Sequence, residues 1–163
     1  MTVLKFQLLS RFGIYIDGLE VATVRQFRLQ ALIAYLLLHH QEQVSRRQVA
    51  FLFWPDSTEK QAQANLRKLL HQLRRRLPQL ADLLDVTAQT IQWQPDAPTT
   101  VDAVSFATQL EQAQRVSSVA ESRQILEQAV ELYKGDLLPA FYDDWVLAER
   151  ERLRALYAPA KRV

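Results

Sequence analysis

The chain has 163 residues, 20 Lys+Arg against 18 Asp+Glu, no Cys, 3 Gly and 6 Pro, and 48% of its residues are apolar. That is globular composition at a length that holds one ordinary domain or two small ones, with a core that needs no metal or crosslink. The absence of Cys excludes disulfide scaffolds, thiolate zinc sites, iron–sulfur clusters and Cys nucleophiles, and the longest apolar run, Ala31 to Leu38, falls far short of the roughly 20 residues that span a bilayer. The N-terminus carries no basic segment followed by an apolar one, so no secretory signal is read, and a cytoplasmic protein without membrane contact is expected.

Leu4, Phe6 and Leu8 alternate with Lys5 and Gln7, and Phe12, Ile14 and Ile16 alternate after Ser10-Arg11, with Asp17-Gly18 as a further turn. This pattern predicts a small antiparallel sheet. Phe27, Leu29, Leu32, Ile33, Leu36 and Leu37 recur at helical spacing and predict a first helix over Arg25 to His39. Ser45 has the chemistry of an N-cap for a second helix, Arg46 to Phe53, which Pro55 ends. Asp56, followed three residues later by Glu59, predicts a capping box for a third helix, 58–77, which Pro78 ends.

On a helical wheel Ala62, Leu66, Leu69, Leu70, Leu73 and Leu77 gather in a sector of about 100°, the width of a core-facing stripe. Lys60, Ala64, Arg67, Lys68, His71 and Arg75 lie opposite, with Arg74 and Arg76 on the flanks. Two short β-prone runs follow, Leu83 to Val86 and Thr90 to Trp93, and predict a hairpin around Thr87-Ala88-Gln89. Sheet, three helices and hairpin together make a winged helix-turn-helix. Gln94-Pro95-Asp96-Ala97-Pro98-Thr99-Thr100 reads as a linker, which gives domains at 1–95 and 101–163 joined by 96–100.

Beyond the linker the pattern is helical: Val101 to Arg115, Ala120 to Tyr133 closed by Gly135 at a C-cap position, and Tyr142 to Tyr157 with Tyr142, Trp145, Val146, Leu153 and Leu156 on one face. The expected fold class is therefore mainly α with small β-sheets, a winged helix-turn-helix followed by stacked helix pairs. The two parts differ in charge. Residues 1–95 carry 12 Lys+Arg and 7 Asp+Glu, net +5, and residues 96–163 carry 8 and 11, net −3. Lys60 through Ala81 holds six Lys+Arg and no acid, a candidate polyanion footprint.

The string Leu132-Tyr133-Lys134-Gly135-Asp136-Leu137-Leu138-Pro139-Ala140-Phe141-Tyr142-Asp143-Asp144-Trp145, continued by Glu149-Arg150-Glu151-Arg152-Leu153, resembles the signature of the bacterial transcriptional activator domain. Ala31-Leu32-Ile33-Ala34-Tyr35-Leu36, Val44-Ser45-Arg46, Leu52-Phe53-Trp54-Pro55-Asp56, Asn65-Leu66-Arg67 and Leu73-Arg74-Arg75-Arg76-Leu77-Pro78 resemble the OmpR/PhoB-type winged helix that accompanies it in the antibiotic-regulatory-protein (SARP) class of activators. The resemblance covers nearly the whole chain. It implies a DNA-binding regulator whose helical half belongs to a tetratricopeptide-like bundle, used for contacts with a second protomer, DNA-bound neighbours or RNA polymerase, on DNA sites arranged as direct repeats. Larger members of the class append an ATPase module and further repeats. Two departures stand out. His40-Gln41-Glu42-Gln43 lacks the Gly expected between the first two helices, and one helix pair plus one helix is fewer than the about three units that close such a bundle, so the chain is expected to be a fragment of a longer protein.

Arg67, Lys68 and His71 are the candidates for base contact, since Arg and Lys match guanine O6/N7 and His suits a purine edge or a phosphate. Candidates for phosphate contact are Arg46, Arg47, Lys60, Arg74, Arg75 and Arg76, with Thr87, Gln89 and Thr90 at the hairpin tip. Asn65, beside the face, is expected to hydrogen-bond locally. Trp54, Trp93 and Trp145 read as packing residues. His39, His40 and His71 include no pair at i, i+4, so no metal site is read, and three scattered glycines build no phosphate or dinucleotide loop. No cofactor or enzyme chemistry follows from these residues. A sequence-specific double-stranded DNA-binding activator is therefore expected; the alternative is a helical adaptor whose winged helix has lost DNA binding, which would show an apolar or mixed-sign face in place of the acid-free one.

Overall fold

A computed structural model describes residues 3–21, 24–94 and 98–162. In chain order the elements are β1 (Leu4–Gln7), β2 (Gly13–Ile16), β3 (Leu19–Glu20), α1 (Phe27–Leu38), β4 (Gln43–Ser45), α2 (Arg46–Phe53), α3 (Glu59–Arg76), α4 (Pro78–Ala81), β5 (Leu84–Val86), β6 (Thr90–Trp93), β7 (Thr99–Val101), α5 (Asp102–Arg115), α6 (Val119–Leu132) and α7 (Asp144–Lys161). The fold is mainly α with small sheets, a winged helix-turn-helix and a helical part, as the sequence predicts. None of the helices is long and apolar enough to cross a membrane among the described residues.

Contacts divide the chain into two compact units, one of 1–21 with 98–163 and one of 22–97. These do not follow the expected division at 96–100. Residues 95–97 of the expected linker lie outside the described residues, and Thr99 and Thr100 are part of β7, which pairs in parallel with β1 (Leu4↔Thr99, Phe6↔Val101). The N-terminal sheet, in the order β3-β2-β1-β7, therefore belongs with the helices that follow residue 98.

In that unit β1 buries Leu4 and Phe6 and exposes Lys5, the alternation read from sequence. Asp17 and Gly18 join β2 to β3 with φ of 50° and 85°, the left-handed pair that a tight hairpin turn requires. Asp102, at the first turn of α5, accepts from the amides of Leu8 (2.8 Å) and Leu9 (3.1 Å), just beyond β1. Phe106 is fully buried beside Tyr133 at 5.2 Å, and Tyr133 stacks on Tyr157 at 4.1 Å, joining α5, the end of α6 and α7. Ser118 caps α6, accepting from Glu121 N.

Two expectations are corrected here. Gly135 is not the C-cap of α6, which is Tyr133, and its φ is not positive. It is small because Ser10 lies against it: a Cβ there would sit 3.2 Å from Ser10 Cβ and 3.3 Å from Ser10 Cα. Tyr142 is 76% exposed, because α7 begins only at Asp144 and the inward face is carried by Val146, Leu153 and Ala160, with Trp145 and Leu156 half-buried. The Leu137–Phe141 turn is gripped by Arg150, which donates to the carbonyls of Leu137 (2.8 Å), Leu138 (2.5 Å) and Phe141 (2.8 Å).

The second unit is built on α1, buried at Leu29 and from Ala31 through Leu37. Between α1 and α2 the chain forms β4, which pairs with β6 of the β5–β6 hairpin (Val44↔Ile91). Nothing in His40–Gln43 has a positive φ, so the Gly missing from this segment is not required. Ser45 caps α2 as predicted, accepting from Gln48 N at 3.2 Å. The cap of α3 is Thr58, accepting from Gln61 N at 3.1 Å, and not Asp56: Pro55 to Ser57 remain a turn, with Ser57 N donating to Trp54 O. Glu59 pairs instead with Arg47.

Burial pushes the Asp102 carboxyl above its ordinary 3.8, outweighing the amides of Leu8, Leu9 and Ala103 and the charge of Lys134, which pull it down. A carboxyl whose pKa is raised by folding contributes stability in full below the ordinary value and loses it as pH rises through the raised one. Asp102→Asn removes that titration, so the difference in stability between parent and variant is expected to vary with pH in this window above 3.8 and to level off at higher pH. Asp102→Ala, which orphans the Leu8 and Leu9 amides, is expected to cost about 1–3 kcal/mol. Urea unfolding of parent and both variants across pH checks this; an alanine variant as stable as the parent removes the clamp.

Candidate nucleic-acid interface

The third helix has two faces because its sequence does. Ala62, Leu66, Leu69 and Leu73 are buried, with Leu77 buried at the C-cap. Leu70, expected in the same stripe, is only half-buried at its edge. On the opposite side Lys60, Arg67, Lys68, His71, Arg74, Arg75 and Arg76 are all exposed. Arg67, Lys68 and His71 occupy one turn at the middle of the helix, and Arg74 to Arg76 occupy its last turn, where positive charge also suits the helix dipole.

Among the described residues no acid pairs with Lys60, Arg67, Lys68, Arg74, Arg75 or Arg76. The contrast with the other unit is plain. There Arg150 is committed to carbonyls, Arg152 to Glu149, Arg154 to Asp136 and Glu151, and Arg11 to Glu20. The Arg154 guanidinium holds the Asp136 carboxyl below its ordinary value. Cations on α3 have no such partners. Asn65 bonds locally, as expected, accepting from Gln61 Nε2 at 2.8 Å.

The remaining candidates separate into free and committed groups. Arg47, exposed at the start of α2, forms an ion pair with Glu59 at 2.8 Å. Arg46 is half-buried, and its Nη1 donates to Thr87 O at 2.8 Å. At the hairpin tip the Thr87 hydroxyl accepts from the amides of Gln89 (3.2 Å) and Thr90 (2.9 Å) and lies 2.8 Å from the Thr90 hydroxyl. Thr87 and Thr90 thus spend their hydroxyls on the turn, which leaves Gln89 as the exposed polar side chain of the tip. The residues read for contact with nucleic acid lie in one unit, on α2, α3 and the β5–β6 hairpin.

An open cavity of about 420 Å³ that the sequence does not predict lies between α2 and α3, walled by Ala50, Phe51, Trp54, Pro55 and Ala62 among others. Phe51 beside it is 66% exposed. The signal was the run Phe51-Leu52-Phe53-Trp54, which is longer than one buried face of a two-turn helix can absorb. Of the tryptophans, Trp93 is buried and Trp54 and Trp145 are half-buried.

No protein-family model matches the sequence, and no curated protein matches it. Among solved structures, Mycobacterium tuberculosis EmbR in complex with a low affinity phosphopeptide is similar, with a TM-score of 0.81 and 19% identity over 99% of this chain. The chain shares the EmbR fold. It spans 44% of the EmbR chain, so the likeness concerns less than half of that protein.

An exposed face and a buried one respond differently to truncation. Arg67→Ala, Lys68→Ala and His71→Ala are expected to change stability by no more than about 0.5 kcal/mol. Leu66→Ala and Leu73→Ala are expected to cost about 2–5 kcal/mol. Leu70→Ala, at the edge of the stripe, should fall between the two sets. Denaturant midpoints of the six variants decide it, and normal unfolding of the Leu66 and Leu73 variants would reverse the assignment of faces.

Proposed function

We propose that the protein is a sequence-specific double-stranded DNA-binding transcriptional regulator, acting as an activator, with α3 as the helix that enters the major groove. The observation that carries this reading is the exposed basic face of α3, which is free of acid from Lys60 onward and opposite a buried leucine stripe. A groove of about 12 Å accepts a helix with such a face, and phosphate neutralisation supplies its affinity. Arg67, Lys68 and His71 read base edges, Lys60, Arg74, Arg75 and Arg76 hold phosphates, and Arg47 exchanges Glu59 for a phosphate. Gln89 reaches the backbone or minor groove from the wing.

The likeness in fold to EmbR is in keeping with the sequence resemblance to the antibiotic-regulatory-protein class. In this reading the helical unit, with net charge of −3 over 96–163, is turned to protein: a second protomer on a direct repeat, or RNA polymerase. The EmbR structure holds a phosphopeptide, which is in keeping with protein contacts for a chain of this fold. The protein works in the cytoplasm, where its DNA lies. An adaptor is not favoured, because the front of α3 has neither an apolar patch nor mixed charge.

Selection from a random duplex library provides the site, and titration then reads the mechanism. With about five phosphates neutralised per protomer, log K is expected to fall with log[salt] at a slope of about −4 to −5. Arg67→Ala, Lys68→Ala and His71→Ala should each weaken the selected site by about 1–3 kcal/mol where a good base contact is lost. Arg75→Ala should weaken all duplexes alike and reduce the slope by about one unit. Failure to bind any duplex at low salt, or binding indifferent to salt, removes the reading, and a symmetric footprint overturns the direct repeat.

A further inference from the structure

The geometry points to Arg46 as a positioning residue that sets the wing tip against α2, rather than as a phosphate ligand; this rests on the DNA-binding reading above. Arg46 is the first residue of α2, directly after β4. β4 pairs with β6 as far as Ser45↔Thr90, and Arg46 N continues that ladder by donating to Gln89 O at 2.9 Å. The side chain then crosses to the other limb of the turn, where Nη1 donates to Thr87 O at 2.8 Å. One residue thus holds both sides of the Thr87-Ala88-Gln89 turn.

Two further observations fit a clamp and not a phosphate contact. Arg46 is half-buried where the cations of α3 are exposed, and its Nε is buried without a hydrogen-bond partner among the described residues. A half-buried guanidinium is held in place by its hydrogen bond to Thr87 O and by the loss of the freedom that an exposed side chain keeps. The Thr87 hydroxyl shapes the turn from within through the Gln89 and Thr90 amides, and Arg46 ties the shaped turn to the helix. The consequence is that Gln89 is presented at a set distance from α2, so wing and α3 meet a duplex as one surface.

The test is a double-mutant cycle of Arg46→Ala and Gln89→Ala in the full chain, with Arg46→Lys as the conservative variant. The probe is the duplex that the parent selects from a random library, and amide resonances of Ala88 to Thr90 are followed in the free protein. Each single variant is expected to bind about tenfold more weakly, and the double variant no more weakly than Arg46→Ala alone. Arg46→Ala should shift the wing amides with its melting temperature within a few degrees of the parent. Arg46→Lys keeps the charge and one donor on a shorter stem, and should recover no more than part of the binding lost in Arg46→Ala. Additive losses, full rescue by Lys, or unmoved wing amides make Arg46 an ordinary phosphate ligand and overturn the proposal. Should the parent bind no duplex, the DNA-binding reading fails, and the wing amides of the free Arg46→Ala protein alone decide whether Arg46 holds the tip.

Discussion

The Asp102 carboxylate and the β1–β7 pairing close the chain on itself across more than ninety residues, and the organisation of the molecule depends on that closure. Two amides left over at the end of β1 find their acceptor on a side chain 94 residues later in sequence. The entropic cost of so long a closure grows only with the logarithm of its length, so a whole unit can be inserted between β3 and β7 for little more than a short loop costs. The inserted unit supplies its own core through α1 and the leucine stripe of α3. The flanking unit completes its sheet only when both ends of the chain are present. Removal of residues 98 onward therefore takes away the partner of β1 as well as three helices.

Arginine is used in opposite ways in the flanking unit and on α3. Arg150 satisfies three carbonyls of a turn in which Leu138 holds a φ of 41°, a conformation unfavourable to a branched side chain and sustained by the contacts around it. Arg152 and Arg154 are held by carboxylates on their own helix or in the segment that precedes it. On α3 the side chains remain in water. Exposed ion pairs contribute about 0–1 kcal/mol, so leaving these cations unpaired costs the fold little, while any acid placed among them would compete with phosphate. The lack of acids on the front of α3 is thus neutral for folding and favourable for binding an anion, and that asymmetry makes the face informative.

Much of the inserted unit was legible because its signals are local. The leucine stripe, the Ser45 cap, the hairpin limbs and the exposure of Arg67, Lys68 and His71 all follow from periodicity and hydrogen-bonding chemistry within a few residues. What was missed is long-range or very short. Gln43–Ser45 and Thr99–Thr100-Val101 are three-residue strands with no period to detect, and each becomes a strand only because a partner elsewhere offers an edge. The role of Gly135 required knowing that Ser10 would lie against it. Thr58 won the cap from Asp56 because Pro55 holds the intervening residues in a turn, which delays the helix by two positions. In the candidate site the residues marked by the sequence all fall in one unit, but the sequence could not divide them: Arg46 and Arg47 are adjacent and identical in kind, yet one is bonded to the hairpin and the other lies exposed beside Glu59.

Helix length supplies the reason for dividing the basic face as proposed. Eighteen residues make a straight rod of about 27 Å, whereas the major groove is about 12 Å wide and winds around the duplex axis. A straight rod meets the floor of a curved groove over one or two turns and diverges from it at both ends. Arg67 and Lys68 sit at the midpoint of Glu59–Arg76 and His71 one turn on, whereas Arg75 lies roughly 11 Å beyond the midpoint. In the proposed reading the centre of the helix is thereby assigned to base edges and its ends to the phosphates that border the groove. A contact limited to one or two turns reads only a few base pairs. Specificity against a genome then requires either a wing held in register with the helix or a second copy on an adjacent site, and the proposed clamp of α2 on the hairpin would serve the first of these within a single chain.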